Sequence, residues 1–153
     1  MNKKQTEPKV DDPLNMALCT CATIRKAARI VTQMFETALQ PTGLTAGQVT
    51  LLAVLSEQGE MPLTTLADAL VLDRTTLTRN LKPMVRDGFV SIKMEEDQRV
   101  RMVGLTPSGT RKIAEAYPLW AEVQSRLVDG LGGERWSDLV VDLNTAVEVA
   151  RKG

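Results

Sequence analysis

Between Leu14 and Leu39, apolar side chains recur at Leu14, Leu18, Cys21, Ile24, Ala28, Val31, Phe35 and Ala38. Alternating steps of three and four place them on one stripe, close to a heptad seam, and predict one long amphipathic helix. Pro41-Thr42-Gly43 stops it. Thr45 then takes the N-cap position of a second helix, with Gln48 where a capping box needs it. Val49, Leu52, Ala53 and Leu55 form its apolar face, and it ends near Gly59. Leu63 to Leu70 predicts a short helix with Leu63, Leu66, Ala67 and Leu70 inward. After a Val71-Leu72 turn, Asp73 caps a helix from Arg74 to Arg86, with Gly88 as its stop. Leu77, Leu81, Met84 and Val85 are its apolar positions. Pro83 lies inside it and predicts a kink, because proline brings no backbone donor.

The period then changes to two. Val90, Ile92 and Met94 alternate with Ser91, Lys93 and Glu95, which is strand spacing. The turn Glu96-Asp97-Gln98-Arg99 leads into a second strand over Val100 to Thr106, completing a hairpin. Thr106-Pro107 opens a helix to about Val128, with a kink expected near Pro118. Gly130-Leu131-Gly132-Gly133 is a break, and a last helix from Glu134 to Arg151 carries Trp136, Leu139, Val140, Leu143, Val147 and Ala150.

A helix-turn-helix followed directly by a β-hairpin is a winged helix. The predicted class is therefore mainly α with a small β-hairpin wing. The outer helices have apolar faces too long for this lobe to cover, so they are expected to bury each other across a dimer interface. The expected organisation is a disordered tail over 1–13, a helical dimerisation region over 14–44 and 107–153, and a winged helix-turn-helix lobe over 45–106.

Composition narrows the chemistry. The chain has 153 residues and no histidine, so no imidazole base, Cys-His pair or His-ligated metal site is available. No phosphate-cradling glycine motif occurs, and no paired acids stand in an apolar setting. The expectation is a non-enzyme without cofactor or metal. No secretory h-region or run of about 18 apolar residues occurs, which predicts a cytoplasmic protein with no membrane partner. Cys19-Thr20-Cys21 is not a secreted disulfide framework.

Charge matters through its placement. Lys and Arg number 19 and so do Asp and Glu, yet Arg74, Arg79, Lys82 and Arg86 share one helix with no acid between them. A recognition helix explains this, its first turns facing base edges and the rest approaching phosphates. Thr75, Thr76 and Thr78 are short enough to approach bases or a thymine methyl, and Asn80 can read adenine if it faces outward. Arg74 and Arg79 reach guanine edges or phosphates, while Lys82 and Arg86 lie nearer phosphates. A solvated helix face is the alternative for a basic run taken alone. At the hairpin tip, Arg99 and Arg101 can enter a minor groove. Asp97 either braces Arg99 through a charge-assisted hydrogen bond or forms an ordinary surface pair.

Three stretches carry a family resemblance: "GLTAGQVTLLAVL", "LTTLADALVLDRTTLTRNLKPMVRDGFV" and "DQRVRMVGLTPSG". They resemble the second helix, the helix-turn-helix and the wing of the MarR family of bacterial transcriptional regulators, over essentially 14–151. The resemblance implies a homodimer with interlocked outer helices on a palindromic operator in double-stranded DNA. It also implies a repressor released by a small molecule, often an aromatic acid, or by an oxidant. Arg74, Thr75, Thr76, Thr78 and Arg79 fall on the family's base- and phosphate-reading positions, and Asp97 and Arg99 on its wing pair. Gln98 departs from the further arginine of many members, and Pro83 occurs in some.

Cys21 stands where some peroxide-sensing relatives carry a reactive thiol, with Arg25 one turn on to favour a thiolate; the other reading is a small buried core residue. A Cys19–Cys21 disulfide within a helix is disfavoured, because the side chains diverge by about 200°. Arg25, Lys26 and Arg29 either pair with an anionic effector or with acids of the outer helices. A thiol-based redox regulator using Cys21 and Cys19, and a non-DNA interaction scaffold, are the competing readings.

Overall fold

The computed structural model describes residues 13–94 and 99–152. The tail expected over 1–13 lies outside them apart from Pro13, as do Glu95, Glu96, Asp97 and Gln98 of the hairpin tip. The chain divides into two units at Met34 and Phe35.

In the first unit the expected continuous helix from Leu14 is interrupted. Met16–Leu18 is a 3-10 turn, and Asn15 Oδ1 accepts the Ala17 amide at 2.9 Å, satisfying a donor that a helix start would otherwise leave orphaned. Cys19 then turns extended, with ψ 118°, and α1 begins only at Thr20, running to Leu39. Every residue from Cys21 to Ile30 is exposed. Cys21 is thus not a buried core residue, and both thiols are exposed and unpaired. Because Cys19 stands outside the helix, the helical divergence that argued against its pairing with Cys21 does not apply.

The second unit holds the core. The end of α1 is pinned by fully buried Leu39 and by a 3-10 turn at Gln40–Thr42 that Gly43 closes at φ +71°. Buried Thr42 is satisfied both ways, donating to the Leu39 carbonyl at 2.7 Å and accepting from the Leu44 amide at 3.1 Å. α2, Ala46–Gln58, has the expected capping box: the Gln48 amide reaches Thr45 Oγ1 at 3.2 Å and the Thr45 amide reaches Gln48 Oε1 at 2.9 Å. Glu36 Oε1 takes a third orphan amide, that of Ala46, at 2.9 Å, and its charge suits a helix N-terminus. Leu51 is buried alongside Val49, Leu52 and Leu55, so α2 is wrapped by the core on more sides than one amphipathic face implies.

A strand that periodicity did not predict follows. β1, Met61–Pro62, pairs antiparallel with β3, Arg101–Leu105, which also pairs with β2, Val90–Met94. The hairpin is therefore part of a three-stranded sheet in the order β1-β3-β2. Two residues are too short for alternation to register. α3, Leu63–Ala69, and α4, Arg74–Arg86, form the helix-turn-helix; between them Val71 takes φ +53°, the one positive value at a non-glycine residue among those described.

α5, Pro107–Leu131, passes through Pro118, as α4 passes through Pro83, each as one unbroken element. The expected four-residue break after it reduces to Gly132 at φ +87°, and α6 runs over Gly133–Lys152. Ala116 and Val123 of α5 are buried. No described residue of α6 is buried: Leu139, Val140, Leu143 and Val147 keep 39–42 % of their surface exposed.

The start of α5 is fastened to the end of α4. Thr106 Oγ1 donates to the Gly88 carbonyl and accepts from the Gly109 amide, while the Thr106 amide donates to the Phe89 carbonyl. Gly109 lies so close to that strand entry that a Cβ would stand 2.1 Å from the Phe89 oxygen. The threonine and glycine of "LTPSG" are structural for this reason.

Candidate nucleic-acid interface

α4 is held by its inner face. Leu77, Leu81 and Met84 repeat at four and three residues and are 0–1 % exposed, so the helix cannot rotate without opening the core. The opposite face is thereby fixed outward. Asp73 caps the helix, its Oδ1 accepting from the Thr76 amide at 2.8 Å and its Oδ2 from the Thr76 hydroxyl at 2.7 Å. These bonds, the amide first, hold the Asp73 carboxyl below the ordinary carboxylate range.

Five of the predicted residues come together. Arg74, Thr75, Thr78, Arg79 and Lys82 line one open cleft of about 600 Å³, beside Val85 and Ile92. None of its three cations makes an ion pair among the described residues. The hydroxyls are not equivalent. The Thr76 proton is spent on Asp73, and Thr78 donates to the Arg74 carbonyl at 2.7 Å, leaving its lone pairs and methyl group for a partner. Thr75 makes no side-chain hydrogen bond among the described residues. Asn80 is exposed outside the cleft lining.

Arg86 differs from Lys82 in a way that spacing did not show. Its Nε donates to Asp87 Oδ1 at 2.8 Å and its terminal nitrogen to Oδ2 at 3.2 Å, a forked pair. The guanidinium holds the Asp87 carboxyl below its ordinary range, and the carboxylate raises the arginine. The pair carries no net charge.

On the hairpin, the alternation puts Val90, Ile92 and Met94 on one face of the strand. Only Val90 is buried; Ile92 is 38 % and Met94 54 % exposed, because the strands project beyond the core. Arg101 opens β3 and is exposed, as is Arg99 just before it. Asp97 lies outside the described residues, and so does any brace it gives Arg99.

A second cleft, of about 540 Å³, opens between α2 and α5. Val49, Ala53 and Ile113 are among its apolar lining, Tyr117 and Trp120 bring rings 5.9 Å apart, and Glu57 brings a carboxylate. Nothing in the sequence pattern brought these residues together, since they come from two helices far apart in the chain. Arg25, Lys26 and Arg29, the expected effector cations, are exposed on α1 and do not belong to that lining. Among the described residues no group of three or more acids and cysteines is placed to hold a metal, and no helix is long and apolar enough to cross a membrane.

Comparison with known proteins places these features in context. Residues 44–100 match the model of the MarR family. The transcriptional regulator MosR of M. tuberculosis, solved in complex with DNA, is 38 % identical, with 87 % of this chain and 98 % of that one aligned at a TM-score of 0.77. AbsC, a MarR family transcriptional regulator from Streptomyces coelicolor, is 27 % identical over 91 % of this chain and 97 % of its own, with a TM-score of 0.78. The uncharacterized HTH-type transcriptional regulator YwoH of Bacillus subtilis is 29 % identical over 92 residues, 60 % of this chain and 67 % of that protein.

Proposed function

Because this chain belongs to the MarR family of DNA-binding transcriptional regulators, we propose that it is a homodimeric repressor that leaves a palindromic operator when a small ligand binds. The observation that carries the DNA-reading surface is the α4 cleft: Arg74, Arg79 and Lys82 share one face, unpaired among the described residues, near Thr75 and Thr78. Arg74 and Arg79 are assigned to guanine edges or phosphates, Thr75 and Thr78 to base edges and the thymine methyl, and Lys82 to phosphate. Thr76 acts through the Asp73 cap, and Arg86 through its pair with Asp87. Arg99 and Arg101 are assigned to the minor groove or its phosphates, with Asp97 as the brace of Arg99. The uncovered apolar positions of α1 and α6 support a division in which 14–44 and 107–153 dimerise and 45–106 reads DNA.

The effector site is assigned to the α2–α5 cleft, a concave, mostly apolar space of the size small ligands occupy. Arg25, Lys26 and Arg29 are the anion contacts of the alternative, in which the ligand is acidic.

The test is fluorescence anisotropy with the duplex upstream of the gene against a random duplex, titrated with salt. The expected result is strong preference for the upstream duplex, a steep salt slope, and loss of the preference in Arg79→Ala. Equal weak binding to both duplexes, unchanged in Arg79→Ala, overturns the reading. Repression is read by in-vitro transcription from the same duplex.

The exposure of both thiols favours a second reading. A hydroperoxide would oxidise Cys19 and Cys21 to a disulfide, within or between protomers, and itself be reduced to water or alcohol. Cys21→Ser that still releases DNA on peroxide treatment removes this reading.

A further inference from the structure

The α2–α5 cleft also carries information about the charge of its ligand, and we propose that it takes an organic cation, an aromatic or alkylated ammonium compound. The inference rests on the reading of that cleft as the effector site. Three features of the lining agree.

Glu57 is the only formally charged side chain among the described lining residues. The cations that follow one another on α5 are elsewhere: Arg111 is not in the lining, and Lys112 is turned to Glu115 at 3.1 Å and to the Phe89 ring, 5.9 Å from its centroid. The aromatic pair is the second feature. Tyr117 and Trp120 are tilted by 31° with centroids 5.9 Å apart, an arrangement that shows ring face as well as edge, and ring faces attract cations. The third is the state of the hydroxyls. Thr50 donates to the Ala46 carbonyl at 3.0 Å and Thr110 to the Thr106 carbonyl at 3.3 Å. Their protons are spent, so both offer a ligand lone pairs. An anion would meet a carboxylate, ring faces and these acceptor oxygens, against the hydroxyls of Ser56 and Tyr117 and the Trp120 indole N–H as donors; an ammonium group finds the carboxylate, the rings and the lone pairs all favourable.

Three probes of matched shape test this: benzyltrimethylammonium, its neutral isostere neopentylbenzene, and the anion phenylacetate. Binding is read by quenching of Trp120 fluorescence in full-length Trp136→Phe, which leaves Trp120 as the single remaining tryptophan. The cation is expected to bind about tenfold tighter than the neutral isostere, from the ring and carboxylate contributions together. Phenylacetate is expected to be weakest, and Glu57→Gln to cut the cation's advantage to about threefold while leaving neopentylbenzene unchanged. Unaltered DNA anisotropy for Glu57→Gln confirms that the variant is folded.

Equal affinity for cation and isostere, or an advantage undiminished in Glu57→Gln, overturns the ligand class while the cleft stands as a binding site. Tightest binding by phenylacetate, lost in Arg25→Ala, overturns it in favour of an acidic ligand. Absence of Trp120 quenching by all three overturns both the class and the cleft.

Discussion

Spacing puts Lys82 and Arg86 on the same phosphate-facing end of α4, yet the structure separates them, and salt dependence reads the difference. Lys82 has no acid partner among the described residues, whereas Arg86 is forked onto Asp87 by bonds of 2.8 and 3.2 Å. Each neutralised phosphate contributes about 0.9 to the slope of log affinity against log salt. A homodimer carries two copies of every contact, so Lys82→Ala should lower the slope by about 1.8. Between 50 and 200 mM salt the variant should therefore lose about twelvefold less affinity than the wild type, alike on operator and random duplexes. Replacing Arg86 with Gln and Asp87 with Asn together removes the pair at constant net charge and should leave the slope where it was. Anisotropy titrations at four or more salt concentrations measure both. A double variant that drops the slope as far as Lys82→Ala does would show that Arg86 leaves Asp87 for the DNA backbone, and would refute the argument from pairing.

Further predictions concern the frame that holds this helix, each read as a thermal melt at fixed protomer concentration. Gly109→Ala should destabilise by about 1–3 kcal/mol, because a Cβ 2.1 Å from the Phe89 oxygen forces α5 off the strand and overrides the helix-propensity gain. Gly130→Ala, with nothing within 4 Å of the added carbon, should instead stabilise by about 0.5–1 kcal/mol; the same sign for both refutes the packing account. Val71→Asn should gain about 1 kcal/mol, since φ +53° suits asparagine far better than a β-branched residue, and a loss would mean that Val71 is held by packing. Asp73→Ala should lower the melting temperature and flatten its acid limb. With its carboxyl held below the ordinary range in the folded state, the cap stabilises above the unfolded pKa and fades as pH falls through the folded one. An acid limb identical to the wild type's would remove the cap from the explanation.

What periodicity revealed, and what it did not, divides along a physical line. The caps at Thr45, Asp73 and Thr106, the inner row of α4 and the entry of β2 follow from contacts three or four residues apart, or from a strand's alternation, and all of them could be read from the chain. β1 is too short for any period, and the break at Cys19 depends on Asn15 turning its amide oxygen back on Ala17. The apolar row Val90, Ile92 and Met94 was legible as a strand of the wing, but its exposure beyond Val90 was not, because only the packed sheet shows where the core ends. The α2–α5 cleft joins residues that no local window contains. The deeper difference concerns which groups are still available. Four cations and three threonines on α4 look interchangeable in the sequence. In the structure one cation is neutralised by Asp87, one hydroxyl is consumed by the cap and another donates to its own helix. A surface that reads DNA works with the donors and charges left over after folding, so the chain can name the helix that binds while the folded hydrogen-bond network decides which of its residues have anything to offer.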